Sequence, residues 1–152
     1  MKEKLVVKIA DQQADCPVDE QRICQAVRDV LREEKIAAGE VSVAIVDDPT
    51  IQALNARHLG HDYPTDVISF LLDRRGDYLE GEVVVSIDTA RAVAAELAWP
   101  AEDELLLYVV HGTLHLVGYD DDSDAAREQM RRRERRHLAP FGLEPPWDEN
   151  SA

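Results

Sequence analysis

The pattern of apolar and polar residues along the chain predicts four strands and five helices. Residues 4–10 are rich in β-branched side chains and residues 39–48 alternate between apolar and polar positions, and both features are typical of strands. Ile23, Val27 and Val30 recur at the spacing of one helix face. The predicted strands are residues 4–10, 39–48, 65–73 and 78–88, and the predicted helices are residues 17–36, 49–60, 89–99, 101–117 and 123–138.

The order of these elements indicates an α+β fold. Strands come mainly first and helices last, which favours a mixed four-stranded sheet with about five helices around it. The first two strands are separated by a helix and can be parallel, whereas the last two can form a hairpin through residues 74–77. Gly81 is expected to mark a bulge or kink, and Asp88 to cap the next helix. We expect one domain, residues 1–143, and a loose tail, residues 144–152.

Composition limits the possible partners. The net charge of the 152 residues is 17 − 31 = −14, which argues against a broad phosphate-binding surface but suits a divalent cation. No apolar run reaches the roughly 18 residues of a membrane span, and the N-terminus lacks the apolar segment of a signal peptide, so we expect a cytoplasmic protein. Cys16 and Cys24 form neither a CxxC motif nor a disulfide framework and are expected to be reduced thiols.

The stretch "HGTLHLVGYDDD", residues 111–122, has the spacing of a metal site. His111 and His115 are four residues apart on a predicted helix, so both side chains lie on one face. Gly118 allows the chain to leave the helix, and Asp121 then stands where the metzincin signature has its third ligand. The sequence therefore predicts one divalent metal, with zinc the expected ion, at these three side chains.

Alternatives to this interpretation come from the same residues. Asp120 and Asp122 are rival third ligands, and the whole stretch could instead be a buried helix with two hydrogen-bonded histidines and an acidic cap. The general-base glutamate of HExxH peptidases is absent, because Gly112 follows the first histidine. Peptide hydrolysis is therefore the weakest of the enzymatic hypotheses.

Three blocks of the sequence resemble one known family. "HGTLHLVGYD" is similar to the HGxLHLxGYDH signature of the YbeY family of bacterial rRNA-maturing endoribonucleases. "LNARHLGHDYPTDVISF" (residues 54–70) and "GEVVVS" (residues 81–86) resemble two further blocks of that family, in the right order. Asp124, Met130 and Glu134 fall where the family tends to have the same residue types.

The resemblance implies a fold and a function. The fold would be a mixed four-stranded sheet with helices packed around the metal-bearing one, and the metal would be zinc held by three histidines. The activity would be metal-dependent cleavage of single-stranded RNA by a metal-activated water, used in 16S rRNA 3′-end maturation and ribosome quality control. The partners would be ribosomal RNA and the small ribosomal subunit, and neither DNA nor a membrane is expected as a partner.

Two positions depart from the family pattern. The third histidine is replaced by Asp121, and a family arginine falls on Leu59. Aspartate can bind zinc through oxygen, but it adds a negative charge, and losing the arginine removes a bidentate phosphate contact. Both changes make the pocket less electropositive. A ribosome-assembly factor with a structural metal and weak or lost catalysis therefore remains the alternative to an endoribonuclease.

Two further groups are candidates for supporting roles. Asp66, in "PTD", could orient a metal ligand or a water molecule, or could simply form a turn after Pro64. An Arg-rich helix could contact rRNA phosphates through Arg131, Arg132 and Arg135. The competing interpretation of that helix is a solvated face whose cations complement the helix dipole and nearby glutamates.

Overall fold

A mixed sheet with helices on both faces forms the body of the protein. A computed structural model describes residues 4–14 and 16–147, and these residues form four strands, five α-helices and one short 3-10 helix. The strands are β1 (Leu5–Asp11), β2 (Ala38–Val46), β3 (Val67–Arg75) and β4 (Tyr78–Ser86). The helices are α1 (Glu20–Glu33), α2 (Asp48–Leu59), α3 (Ile87–Leu97), α4 (Ala101–Leu116), α5 (Asp124–Leu138) and the 3-10 helix Ala139–Phe141.

The strand order is β1-β2-β4-β3. β1 pairs with β2 and β2 with β4 in parallel, while β3 and β4 form the antiparallel hairpin expected from the sequence. The α+β class and the mixed four-stranded sheet are therefore confirmed. Within the described part of the chain, no helix is both long and apolar enough to cross a membrane.

The main core lies on one face of the sheet. Alternation along β4 sends Val83 and Val85 into this core, where α1, α4 and α5 pack, and sends Val84 to the opposite face beneath α2. α4 is buried along almost its whole length, which explains why its sequence is apolar on nearly every side. The central helix predicted from residues 101–117 is thus the helix around which the others pack.

Glycine allows α4 to lie unusually close to the β3–β4 hairpin. A Cβ atom on Gly112 would lie 2.6 Å from Val83 Cγ1 and 2.9 Å from Val67 Cγ2. The Ser69 hydroxyl donates a hydrogen bond of 2.8 Å to the Gly112 carbonyl. This contact fixes the height and rotation of α4 above the sheet.

One expectation about local structure was confirmed in part, and another was wrong. The sheet has a bulge beside Gly81, but the extra residue lies in the partner strand β3, between Leu71 and Asp73, which pair with Gly81 and Glu80. The absent side chain of Gly81 leaves space for the Leu116 methyl groups. The cap of α3 is Ser86, whose hydroxyl accepts a hydrogen bond of 3.1 Å from the Thr89 amide.

Asp88 is free of the capping role because the helix begins one residue before it. Its carboxylate accepts a hydrogen bond of 2.8 Å from the Asp48 amide at the start of α2. Ser123 caps α5, and its hydroxyl accepts a hydrogen bond of 3.1 Å from the Ala126 amide.

The segment expected to be a loose tail is packed in its described part. Pro145 is buried, and the Trp147 ring lies 4.5 Å from the Arg131 guanidinium carbon and 5.0 Å from that of Arg135. Residues 148–152 lie outside the described residues.

Replacing Gly112 by valine should destabilise the protein by about 2–3 kcal/mol, because the new carbons overlap Val83 and Val67. Chemical denaturation measures the loss. Ala95→Val, at an exposed position of α3, adds a similar volume and should change the free energy of unfolding by less than about 0.5 kcal/mol. Equal effects of the two substitutions would contradict the close packing of α4.

Candidate metal centre

Two histidines of α4 face each other at its C-terminal end. The Nε2 atoms of His111 and His115 are 3.0 Å apart, and the rings meet edge to face with centroids 4.6 Å apart. Two ring nitrogens this close need either a proton or a cation between them, since their lone pairs otherwise repel. The four-residue spacing on the helix thus places two nitrogen donors where both can bind the same ion.

The chain then turns back and brings a carboxylate to the same point. Gly118 adopts φ of 108°, a conformation that favours glycine, and its amide donates a hydrogen bond of 3.1 Å to the His115 carbonyl. Asp121 follows, with Oδ2 3.5 Å from His111 Nε2 and Oδ1 3.8 Å from His115 Nε2. The loop is held by Arg127, whose Nη1 donates to the Asp121 carbonyl at 3.2 Å.

The spacing of these three donors fits a divalent metal ion. Bonds of about 2.0–2.2 Å at tetrahedral angles separate neighbouring ligand atoms by about 3.4 Å. The donor atoms of His111, His115 and Asp121 lie within 4.8 Å of one another, and small side-chain rotations close that difference. Two imidazole nitrogens and a carboxylate oxygen form a donor set typical of zinc and of other first-row divalent ions.

The neighbouring aspartates are oriented differently. Asp120 Oδ1 is 3.9 Å from His115 Nδ1, so it lies on the ring nitrogen that points away from His111. Asp120 and Asp122 line a separate surface depression with Gln129. Of the three consecutive aspartates, the geometry therefore favours Asp121 as the third ligand.

A buried glutamate lies behind the first histidine. Glu134, on α5, is only 5% exposed, and its Oε2 is 3.5 Å from His111 Nδ1. A carboxylate on the second ring nitrogen fixes the tautomer and orientation of a metal-binding histidine. The resemblance had marked Glu134 as a shared residue but assigned it no role, because its contact with His111 depends on how α5 packs on α4.

The surroundings shift the pKa values of the two histidines in opposite directions. Burial lowers the pKa of His111, but the hydrogen bond and charge of Glu134, with Asp66 and Asp121, outweigh it and leave that pKa raised. Burial and the charge of His111 lower the pKa of His115. The carboxylates around His111 thus favour positive charge at this site, whether a proton or a metal ion carries it.

Two cavities border the donor group. The first has a volume of about 200 Å³, and its walls include Glu104, Tyr108, Arg131 and Trp147. The second has a volume of about 450 Å³ and runs along β3, with Leu59 and Leu71 in its wall. His111 and Asp121 border both cavities, so a metal held there would face open space on two sides.

Asp66 borders both cavities as well. Its Oδ1 accepts hydrogen bonds of 2.9 Å from the Val67 amide and 3.2 Å from the Thr65 hydroxyl. Asp66 can therefore be both a turn residue and a residue of the site, because the turn holds one of its carboxylate oxygens beside the two cavities.

The position of the family arginine is apolar and open to solvent. Leu59 is 51% exposed and supplies no charge to the second cavity. Of the basic residues singled out in the sequence, Arg131 borders the first cavity, Arg132 is exposed, and Arg135 lies against Trp147.

Three residues that line the first cavity were not identified from the sequence: Glu104, Tyr108 and Trp147. Glu104 and Tyr108 lie on the same face of α4 as His111, and burial raises the pKa of both side chains. Trp99 Nε1 donates a hydrogen bond of 2.9 Å to Glu104 Oε1. The signal for them was present, since Glu104, Tyr108 and His111 are spaced by four and three residues. Trp147 could not be placed from local pattern alone.

Comparison with known proteins places these features in one family. The chain is 50% identical over 118 residues to "Endoribonuclease YbeY" of Rhodopirellula baltica, covering 75% of this chain and 61% of that relative. It is 43% identical over 120 residues to the protein of the same name from Chloroherpeton thalassium, covering 79% and 84%. It is 39% identical over 151 residues to that of Moorella thermoacetica, covering 89% and 96%.

A solved structure agrees with the fold. The solution structure of TM1509 from Thermotoga maritima superposes with a TM-score of 0.61 at 26% identity, covering 96% of this chain and 98% of that one. The sequence model described as Endoribonuclease YbeY matches residues 8–142, which include β2, β3, β4, the end of β1, and the helices α4 and α5. The chain therefore belongs to the Endoribonuclease YbeY family.

Proposed function

We propose that this protein is a metal-dependent endoribonuclease that cleaves single-stranded RNA, with the 3′ end of 16S rRNA as its target during ribosome maturation in the cytoplasm. The observation that carries the proposal is the convergence of His111, His115 and Asp121 at a point open to two cavities. The names of the relatives support RNA cleavage as the reaction.

The proposed ion is a single divalent metal, with zinc the best match to the donor set. His111, His115 and Asp121 would hold it. A metal ion bound there supplies a Lewis acid that polarises a phosphodiester and acidifies water. Glu134 keeps the His111 ring in the orientation that presents Nε2 to the ion.

Asp66 is the side chain to which we assign a positioning role at the substrate. Its Oδ1 is held by Val67 and Thr65, so the carboxylate has one fixed orientation. Oδ2 is then the oxygen that accepts a hydrogen bond, or takes up a proton, from a group in the cavities. The site thus combines three metal donors and one oriented acceptor within the walls of the same space.

The alternative proposal is an assembly factor of the small ribosomal subunit with a structural metal. Leu59 in place of the family arginine and Asp121 in place of the third histidine favour it. Against it, structural zinc sites are closed by four protein ligands, whereas the group found among the described residues has three. An open site favours the enzyme.

Removing one metal ligand should deplete the protein of metal. We expect about one ion per chain in the wild type and at least about tenfold weaker retention in His115→Ala and Asp121→Ala, because two donors hold an ion poorly. Elemental analysis after dialysis measures this. Asp122→Ala is the matched control, since it removes the same charge from the same loop outside the donor group. Metal loss in Asp122→Ala with retention in Asp121→Ala would reverse the assignment.

The metal-loaded wild type should cleave an RNA fragment that carries the 16S rRNA 3′ precursor sequence. His115→Ala and chelator-treated wild type should be slower by about 100-fold or more, because the Lewis acid is lost. Gel analysis of end-labelled RNA follows the reaction, and Asp122→Ala should cleave at the wild-type rate.

Two results would contradict the endoribonuclease. Equal cleavage by wild type and His115→Ala would trace the activity to a contaminating nuclease. A metal-loaded wild type that binds the small subunit without cutting RNA would support the assembly factor.

A further inference from the structure

RNA at the metal centre needs a cation that binds its phosphates. Leu59 cannot provide one from α2, and the chain carries a net charge of −14, so general attraction does not provide it either. A guanidinium beside the ion is the group that binds a phosphodiester most strongly, through paired hydrogen bonds. The walls of the first cavity contain two such groups, both on α5.

Arg131 is the better placed of the two. It borders the first cavity together with His111 and Asp121, and its guanidinium carbon lies 4.5 Å from the Trp147 ring. A cation held over an indole keeps its edge N–H groups available for other acceptors while its flat face is covered. Trp147 thus orients the guanidinium at the cavity wall.

Arg127 lies one helical turn before Arg131 and on the same side of α5. One of its nitrogens donates to the Asp121 carbonyl, and another pairs with Asp124. Arg127 therefore holds the loop that carries Asp121, and its charge adds to the positive potential beside Arg131.

None of the other four arginines of α5 borders the first cavity, although Arg135 lies 5.0 Å from the Trp147 ring. Arg133 and Arg136 form ion pairs with Glu33 of α1, at 2.9 and 2.5 Å. Arg132 is exposed and does not border the first cavity. The helix is thus divided, and only one side of it faces the metal centre.

We propose that Arg131, oriented by Trp147 and supported by Arg127, is the phosphate-binding residue for the RNA strand at this metal centre. The inference rests on the proposed function, because it supposes that RNA is the ligand. It places the phosphate contact on α5, in the first cavity, whereas Leu59 borders the second. The RNA backbone would then enter through the first cavity.

Acidic residues in the same cavity limit where the phosphate can lie. Asp66, Glu104 and Glu134 also line it, and Glu104 and Glu134 are buried. Ionised carboxylates repel a phosphate, so the position beside Arg131 and the metal donors is the favourable one. The same repulsion makes the contact depend on Arg131 more strongly than it would in a basic groove.

The test is RNA binding by the full-length, metal-loaded protein with Arg131→Gln or Arg132→Gln. The two substitutions remove the same charge from adjacent residues of one helix, so Arg132→Gln is the matched control. Fluorescence anisotropy with a labelled single-stranded RNA of about 12 nucleotides gives Kd across a series of salt concentrations. A gel after each titration measures how much RNA has been cleaved, so that Kd is taken only from titrations with intact RNA, and thermal unfolding shows that each variant is folded.

We expect Arg131→Gln to weaken binding about tenfold at low salt and to reduce the slope of log K against log salt by about 0.7, the value for one lost single-strand phosphate contact. Arg132→Gln should change Kd by less than about twofold and leave the slope unchanged. Equal changes of Kd in both variants, or an unchanged salt slope in Arg131→Gln, would overturn the assignment of Arg131 as the phosphate-binding residue. The proposed endoribonuclease function would still stand if the wild type cleaves RNA. A folded, metal-loaded wild type that binds no RNA would overturn the proposed function as well.

Discussion

The close contact between α4 and the β3–β4 hairpin is the constraint on which the candidate site depends. Gly112 permits it, since any side chain there would overlap Val83. Because α4 is fixed in height and rotation, His111 and His115 face the space between the sheet and α5. A helix that stood further from the sheet would separate His111 from Asp66, which directly precedes β3. The packing of one glycine thus positions the histidines of α4 relative to the acidic residue at the start of β3.

In the proposed metal centre, an oxygen ligand at the third position would change the electrostatics. A divalent ion with two neutral histidines and one carboxylate has a formal charge of about +1, against about +2 with three histidines. Such an ion attracts a phosphate less strongly, and Leu59 provides no compensation from α2. The guanidinium groups of Arg127 and Arg131 face the first cavity and supply positive charge from α5. Under this proposal, the arginines of α5 would supply the positive charge that Leu59 and Asp121 do not.

The parts of the site that could be read from the sequence are those fixed by local geometry. The spacing of His111 and His115 determines a shared helix face, and strand alternation gave the sheet and its hairpin. Glu134 and Trp147 reach the site only because α5 and the segment after it pack against α4, and no local pattern encodes that packing. Gly81 was read only in part: the bulge lies opposite it in β3, and the glycine also receives a side chain from α4, which no local pattern indicates.

The central claim is that Asp121 occupies the third ligand position of a metal centre with two imidazoles. X-ray absorption at the zinc K-edge tests it most directly, on wild type and Asp121→His each loaded with one equivalent of zinc. We expect nitrogen and oxygen neighbours at about 2.0–2.2 Å, two imidazoles in the wild type and three in the variant. An imidazole count that does not rise in Asp121→His, or a sulfur neighbour at about 2.3 Å, would contradict the account.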